Sequence, residues 1–208
     1  MKTTNIKEFK NRNNMEIIES FMNLNNGYVT SKMVTDLGIH RMYLNIMCEK
    51  GIIEKVGKGI YIDSKKYEDS YYVFSLENPN VIFSHMTALY FYGLSIKAPS
   101  SKYDITIVNK YHNPKIKKHN IFYVSKDIYN LGLTEVKTPA GNKVKAYDIE
   151  RCICDIVRSK KRMDIELIKY SIREYLKRKD KDINKLSNYA DKMGINKEVM
   201  NLVSIMYE

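Results

Sequence analysis

Arg41 and Asn45, four residues apart, are the two side chains whose types and spacing carry the clearest chemistry in the chain. A guanidinium can fork onto the O6 and N7 of guanine, and a carboxamide can pair with the N6 and N7 of adenine. On a helix beginning near Arg41, steps of about 100° per residue set Arg41, Met42, Asn45 and Glu49 opposite Leu44 and Met47. Glu49 confines nucleic-acid contact to the N-terminal half of that helix, the half from which a recognition helix reads base edges. His40 stands just before the helix, within reach of a phosphate or a base. Lys32 near the start of the preceding helix, and Lys55 and Lys58 beyond the second, suit phosphate contacts, which set position rather than sequence. The same residues would also serve as the solvated surface of a small helical core.

The elements needed to position them can be read on either side. Thr30 or Ser31 is a suitable N-cap for a short helix carrying Met33, Val34 and Leu37. Gly38 lets that helix stop in the left-handed region, and Ile39 fills the corner. The second helix runs from about Arg41 to Lys50 and ends at Gly51. Ile52–Val56 and Ile60–Ile62 then flank Gly57-Lys58-Gly59, the pattern of a β-hairpin. Upstream, Ile17, Ile18, Phe21, Met22 and Leu24 share one helical face from Asn14 onward, closed by Asn25-Asn26-Gly27. Helix, helix, turn, helix, hairpin is the order of a winged helix-turn-helix, assigned to residues 1–66. Residues 1–12 are polar and basic and are expected to fray. The turn-like run Asp63–Asp69 marks the domain boundary.

Residues 67–208 read as a second, mixed domain. Tyr71–Phe74 and Val81–Phe83 are apolar runs, and Ser84 stands as a cap before His85–Tyr92, which Gly93 closes. Tyr90, Phe91 and Tyr92 would serve as core in so apolar a segment, or else as a stacking platform for bases. Tyr103–Val108 and Asn120–Val124 alternate as strands do. Thr134–Lys137 and Lys143–Tyr147 form a hairpin around Pro139-Ala140-Gly141-Asn142. Lys110–His119, the densest basic stretch, is either a phosphate-binding segment or a solvated loop. Four apolar stripes follow at helical spacing, beginning at Ile149, Ile165, Ile183 and Val199. The fold class is therefore α+β: an N-terminal winged helix-turn-helix followed by a mixed α/β domain with a helical C-terminal half.

The chain has 208 residues, 44% hydrophobic and 28% charged, and a formal net charge of +11. That composition is ordinary for a globular protein, and the charge permits an acidic partner such as nucleic acid. Cys48, Cys152 and Cys154 form no disulfide framework, and with His40, His85, His112 and His119 scattered they give no zinc spacing. No apolar run approaches the roughly 20 residues of a membrane span, and no secretory leader is evident, so a cytoplasmic protein is expected. A Gly-rich phosphate loop, HExxH, GxSxG and paired carboxylates are all missing, so no catalytic residue, metal or cofactor is assigned. A nucleic-acid enzyme built on acids such as Asp104, Asp148 and Glu150 has no spacing in its favour. Arg151, Asp155 and Arg158, at i, i+4 and i+7, share a helix face that an intrahelical salt-bridge ladder would explain.

Three stretches resemble the AbiEi-type antitoxins of AbiE abortive-infection toxin–antitoxin systems. They are LGIHRMYLNIMCEKGIIEKVGKGIYI in the winged helix, FSHMTALYFYGLS over residues 83–95, and VKAYDIERCICDIVRSKKRMD over 144–164, continued by IREYLKRKDKDINKLSNYADKMGI. The resemblance implies a winged helix that binds inverted repeats upstream of its own operon and represses it. It also implies an antitoxin domain that counters a nucleotidyltransferase-like toxin in bacteriophage resistance, with no stable complex required. DNA contacts would fall on Lys32, His40, Arg41, Asn45, Lys55 and Lys58, and a functional patch of the antitoxin domain on Glu150, Arg151, Asp155 and Arg158. His40 departs from the pattern where a Ser or Thr cap is more usual. A ligand-responsive winged-helix regulator without a toxin partner is the competing reading.

Overall fold

The computed structural model describes residues 13–99 and 101–207; the polar, basic segment 1–12 lies outside them. The chain divides into two compact units, Met1–Asn78 and Pro79–Glu208.

The first unit opens with helix α1 (Asn14–Leu24), started by a reciprocal capping box between Asn13 and Glu16. Strand β1 (Tyr28–Thr30) leads directly into α2 (Ser31–Asp36), whose N-cap is Thr30; its hydroxyl accepts the Met33 N–H at 3.1 Å. Helix α3 (Met42–Glu49) follows, then the antiparallel pair β2 (Ile53–Gly57) and β3 (Ile60–Asp63). β1 pairs with β3, so a three-stranded sheet of order β1-β3-β2 carries the wing. Ile18, Met22, Val34, Leu44, Met47 and Ile53 form the core beneath α1, α2 and α3. This is the winged helix-turn-helix expected from the sequence.

One further helix belongs to this unit. α4 (Ser70–Glu77) is capped by Asp69, whose carboxylate accepts from the Tyr71 and Tyr72 N–H groups. Its Val73 packs with Tyr28, Ile60 and Ile62, and Tyr72 meets Tyr28 edge to face at 4.9 Å. The apolar run at 71–74 therefore covers the sheet of the winged helix, and the first unit extends past residue 66 to Asn78.

The second unit is built on a five-stranded mixed sheet of order β6-β5-β4-β8-β7. Its strands are β4 (Ile82–Phe83), β5 (Asp104–Val108), β6 (Asn120–Val124), β7 (Leu133–Lys137) and β8 (Lys143–Tyr147). β7 and β8 form the expected hairpin, whereas β4 runs parallel to β8 through Phe83 opposite Ala146. Helix α5 (His85–Phe91) follows β4, and the short α6 (Lys126–Tyr129) follows β6. The helical half comprises α7 (Ile149–Arg158), α8 (Ile165–Lys177), α9 (Ile183–Lys192) and α10 (Asn196–Tyr207). α7 is its centre: residues 150–157 are all buried, and the helix packs against α5, α8 and α9. A helix apolar on one stripe only would leave a polar face to solvent. Here that face is covered too, so its charged members must find partners inside the protein. The Tyr90–Tyr92 aromatics are half-buried, with Phe91 edge-on to Phe83 and the Tyr92 hydroxyl donating to the Tyr147 carbonyl at 3.2 Å. Most of the basic stretch 110–119 is exposed loop around a single 3-10 turn anchored by buried Ile116.

Candidate nucleic-acid interface

The turn between α2 and α3 sets the interface. Gly38 adopts φ +75°, and the Ile39 N–H returns to the Val34 carbonyl at 3.1 Å. That reversal aims the next helix across the first. α3 buries Leu44 and Met47 completely and half-buries Tyr43, Ile46 and Cys48, which leaves the opposite side of the helix outside. Arg41, Met42, Asn45 and Glu49 are all exposed, with Met42 at 51%. An exposed methionine amid polar neighbours at the start of a helix is suited to contact with a partner, since nothing in its own unit covers it.

His40 accepts the Met42 N–H on Nδ1 at 3.2 Å. The imidazole thus does the work of the Ser or Thr cap that is more usual at this position, satisfying an otherwise orphaned donor of the first turn. In that arrangement the ring proton sits on Nε2, facing away from the capped amide. The Arg41 Nε–H donates to the Thr35 hydroxyl at 3.0 Å, which holds the side chain over α2 and leaves both terminal nitrogens available to a base or phosphate. Asn45 is exposed one turn further along.

Lys32 lies on α2 in an exposed i,i+4 ion pair with Asp36 at 2.7 Å. Such pairs contribute about 0.5 kcal/mol, so a phosphate can displace the carboxylate readily. Lys55 on β2 and Lys58 in the wing turn are exposed. The wing tip has a feature that sequence reasoning missed: the Lys58 N–H donates to the Glu77 carboxylate at 3.1 Å. Glu77, the last residue of α4, fixes the turn but brings a negative charge beside the lysine. Asp69 followed by Tyr72, Val73 and Leu76 was the available signal for that helix.

In the second unit the four patch residues separate. Arg151 is fully buried. Its Nε donates to Asp155 at 3.1 Å, its Nη1 donates to the carbonyls of Ile128 and Leu131 at 2.6 and 2.8 Å, and its guanidinium lies 4.2 Å over the Tyr147 ring. Gly132, at φ +72°, makes room for it, since a Cβ there would stand 2.7 Å from that of Arg151. Burial drives the Asp155 carboxyl up to about 6 despite the adjacent guanidinium. Glu150 instead accepts from the Tyr175 hydroxyl and pairs with Lys185 at 3.1 Å, and Lys185 also pairs with Asp148 at 3.0 Å. Of the four, Arg158 is the exposed one. The intrahelical ladder expected of Arg151, Asp155 and Arg158 forms in part: Arg151 and Asp155 pair, buried, and Arg158 is an exposed cation. The buried pair binds α7 to the turn after α6, because α7 is enclosed on its polar side. Asp104, which accepts from the Met86 N–H and the Asn120 amide, shares no partner with Asp148 or Glu150 among the described residues. Among those residues no group of three His, Cys, Asp or Glu is placed to hold a metal. Cys152 and Cys154 are buried free thiols, both raised by burial.

An exposed second helix in a winged helix-turn-helix is the arrangement that DNA-binding transcriptional regulators use. A family model described as "Transcriptional regulator, AbiEi antitoxin" matches residues 15–62, which bears out the AbiEi resemblance over the whole helix-turn-helix and wing. The chain is also similar to the crystal structure of the RV2827C protein from Mycobacterium tuberculosis, with 12% identity and a TM-score of 0.47, over 92% of this chain and 80% of that one. No curated protein matches the chain in sequence. No helix among the described residues is long and apolar enough to cross a membrane.

Proposed function

We propose that the protein is an antitoxin that also represses its own operon, reading inverted repeats upstream of it through Arg41 and Asn45. The observation that carries this is the open N-terminal half of α3, where both side chains are exposed and flanked by Lys32, His40, Lys55 and Lys58. The AbiEi match over residues 15–62 supports the regulator and antitoxin roles together. The second unit, residues 79–208, supplies the antitoxin activity in this reading, countering a nucleotidyltransferase-like toxin in the cytoplasm during phage defence without a lasting complex. Co-expression with the gene directly downstream of its own tests it. Growth arrest by that gene alone and rescue by this protein are expected, and a downstream gene that is harmless in the absence of this protein overturns the antitoxin role.

The competing reading, a regulator that answers to a small ligand, gains support from one observation. The second unit holds a polar recess lined by Arg158 and Asp155. Under that reading a metabolic or transport gene, not a toxin, lies next to this one.

A further inference from the structure

A recess of about 500 Å³ opens in the second unit between the end of β6 and the segment Arg158–Arg162 that leaves α7. Its volume falls in the range of small-molecule sites. Its wall is formed around His85, a buried residue at φ +47°, a backbone conformation uncommon for any residue with a Cβ. A chain of hydrogen bonds fixes that imidazole. The Thr106 hydroxyl donates to Ser84 Oγ at 2.8 Å, Ser84 Oγ lies 2.8 Å from His85 Nδ1, and His85 Nε2 lies 3.1 Å from Ser159 Oγ. With Thr106 donating to Ser84, the Ser84 proton goes to Nδ1, and Nε2–H donates to Ser159. Burial holds His85 far below the usual histidine range, so it stays neutral and keeps this tautomer. Ser159 is left with its own hydroxyl proton to give.

The charges around the mouth are unevenly matched. Lys160 is paired with Glu198 at 2.8 Å, and Arg162 stacks 4.4 Å over the Phe122 ring. Arg158 and Lys161 have no ion-pair partner among the described residues. In the wall, Asp155 Oδ2 is buried and accepts no hydrogen bond, although Oδ1 of the same carboxylate is held by the Arg151 Nε–H; the Arg151 Nη2 of that pair is likewise buried without a partner. An acceptor at that depth which Arg151 does not reach is open to a donor on a bound molecule.

We propose that this recess binds a small phosphate ester bearing a free hydroxyl, the chemistry of a nucleoside or sugar monophosphate. Arg158 and Lys161 hold the phosphate oxygens, Ser159 donates to one of them, and Asp155 Oδ2 accepts the hydroxyl proton. The phosphodiester backbone of DNA offers the phosphate but no free hydroxyl within the strand, so it leaves the buried acceptor unfilled. The inference does not depend on DNA recognition by α3.

Calorimetric titration of the full chain with 5′-AMP, its 2′,3′-dideoxy analogue and inorganic phosphate tests it. Saturable 5′-AMP binding is expected with a Kd of about 0.1–1 mM, with the dideoxy analogue and phosphate each about tenfold weaker. Asp155→Asn places a donor where the acceptor was and should erase the difference between 5′-AMP and the dideoxy analogue. Arg158→Ala with Lys161→Ala, both on exposed side chains and safe for folding, should weaken all three at least tenfold. The control Lys115→Ala with Lys117→Ala should change none of them. Absence of saturation at about 10 mM 5′-AMP, equal affinity for the two nucleotides, equal loss in the control variant, or displacement of 5′-AMP by duplex DNA would each overturn the proposal.

Discussion

Glu77 offers a sharp test of how the wing is used. Its carboxylate accepts the Lys58 N–H at 3.1 Å, so the wing turn carries a negative charge where the proposed DNA backbone would pass. Glu77→Gln keeps an oxygen acceptor of the same reach and removes only the charge. At a separation of about 8 Å in water, one charge acts on one phosphate with about 0.5 kcal/mol. A wing tip lies near two phosphates, which gives about 1 kcal/mol at low salt, reduced by roughly half once the Debye length falls to about 8 Å. The variant should therefore bind duplex DNA about two- to fivefold more tightly, on all sequences alike, because a phosphate term carries no base preference. Fluorescence anisotropy across a salt series measures this, and the gain should shrink as salt rises. An unchanged or weakened affinity would mean that the wing tip does not approach the backbone, and Lys58 would lose its assigned role.

Three other expectations concern stability and pH. Arg151→Met leaves the Asp155 carboxylate and two carbonyls buried without partners, and should cost about 3–5 kcal/mol in urea unfolding; pairing it with Asp155→Leu should recover most of that. A single-variant loss below about 1 kcal/mol would show that the buried pair is dispensable. Leu44→Ala empties a fully buried site between α1 and α3 and should cost about 2–5 kcal/mol, read as faster amide exchange along those helices. His85 is held far below 6.5 by burial and His119 down to about 4 for the same reason, so the unfolded chain binds protons that the native chain refuses. Stability from these two groups is complete above pH 6.5 and is lost as pH falls below it. The raised Asp155 acts in the opposite sense between about 6 and 3.8. His85→Asn, a residue that tolerates φ +47°, should flatten the fall just below pH 6.5 and leave the share due to His119.

The parts of the fold that were legible are those fixed by local chemistry. Thr30 as cap, Gly38 as stop and the turn at Gly57-Lys58-Gly59 each act within a few residues, and together they specify the winged helix. The β7–β8 hairpin was visible for the same reason. Helix α4 was harder to see, because the continuous apolar run Tyr71-Tyr72-Val73-Phe74 masks the helical spacing of Tyr72, Val73 and Leu76, and its partner Tyr28 lies some forty residues away. The pairing of β4 with β8 likewise depends on chain topology that no local pattern encodes. On α7 the sequence showed that Arg151 and Asp155 could meet, since an i,i+4 spacing guarantees it. It did not show that α6 and its turn close over them, which converts a surface pair into a buried one. The recess was hidden more deeply still: His85 and Ser159 are 74 residues apart and carry no motif between them.

The most direct measurement is the binding of the full chain to DNA from upstream of its own gene, against a shuffled duplex of equal length, over a range of salt. The native protein should prefer its own sequence, with affinity falling steeply as salt rises. Arg41→Ala combined with Asn45→Ala should remove that preference, at about 1–3 kcal/mol for each base-edge interaction removed, while nonspecific binding persists. Equal affinity for both duplexes, or a preference that survives the double substitution, would contradict the assignment of α3 as the helix that reads the operator.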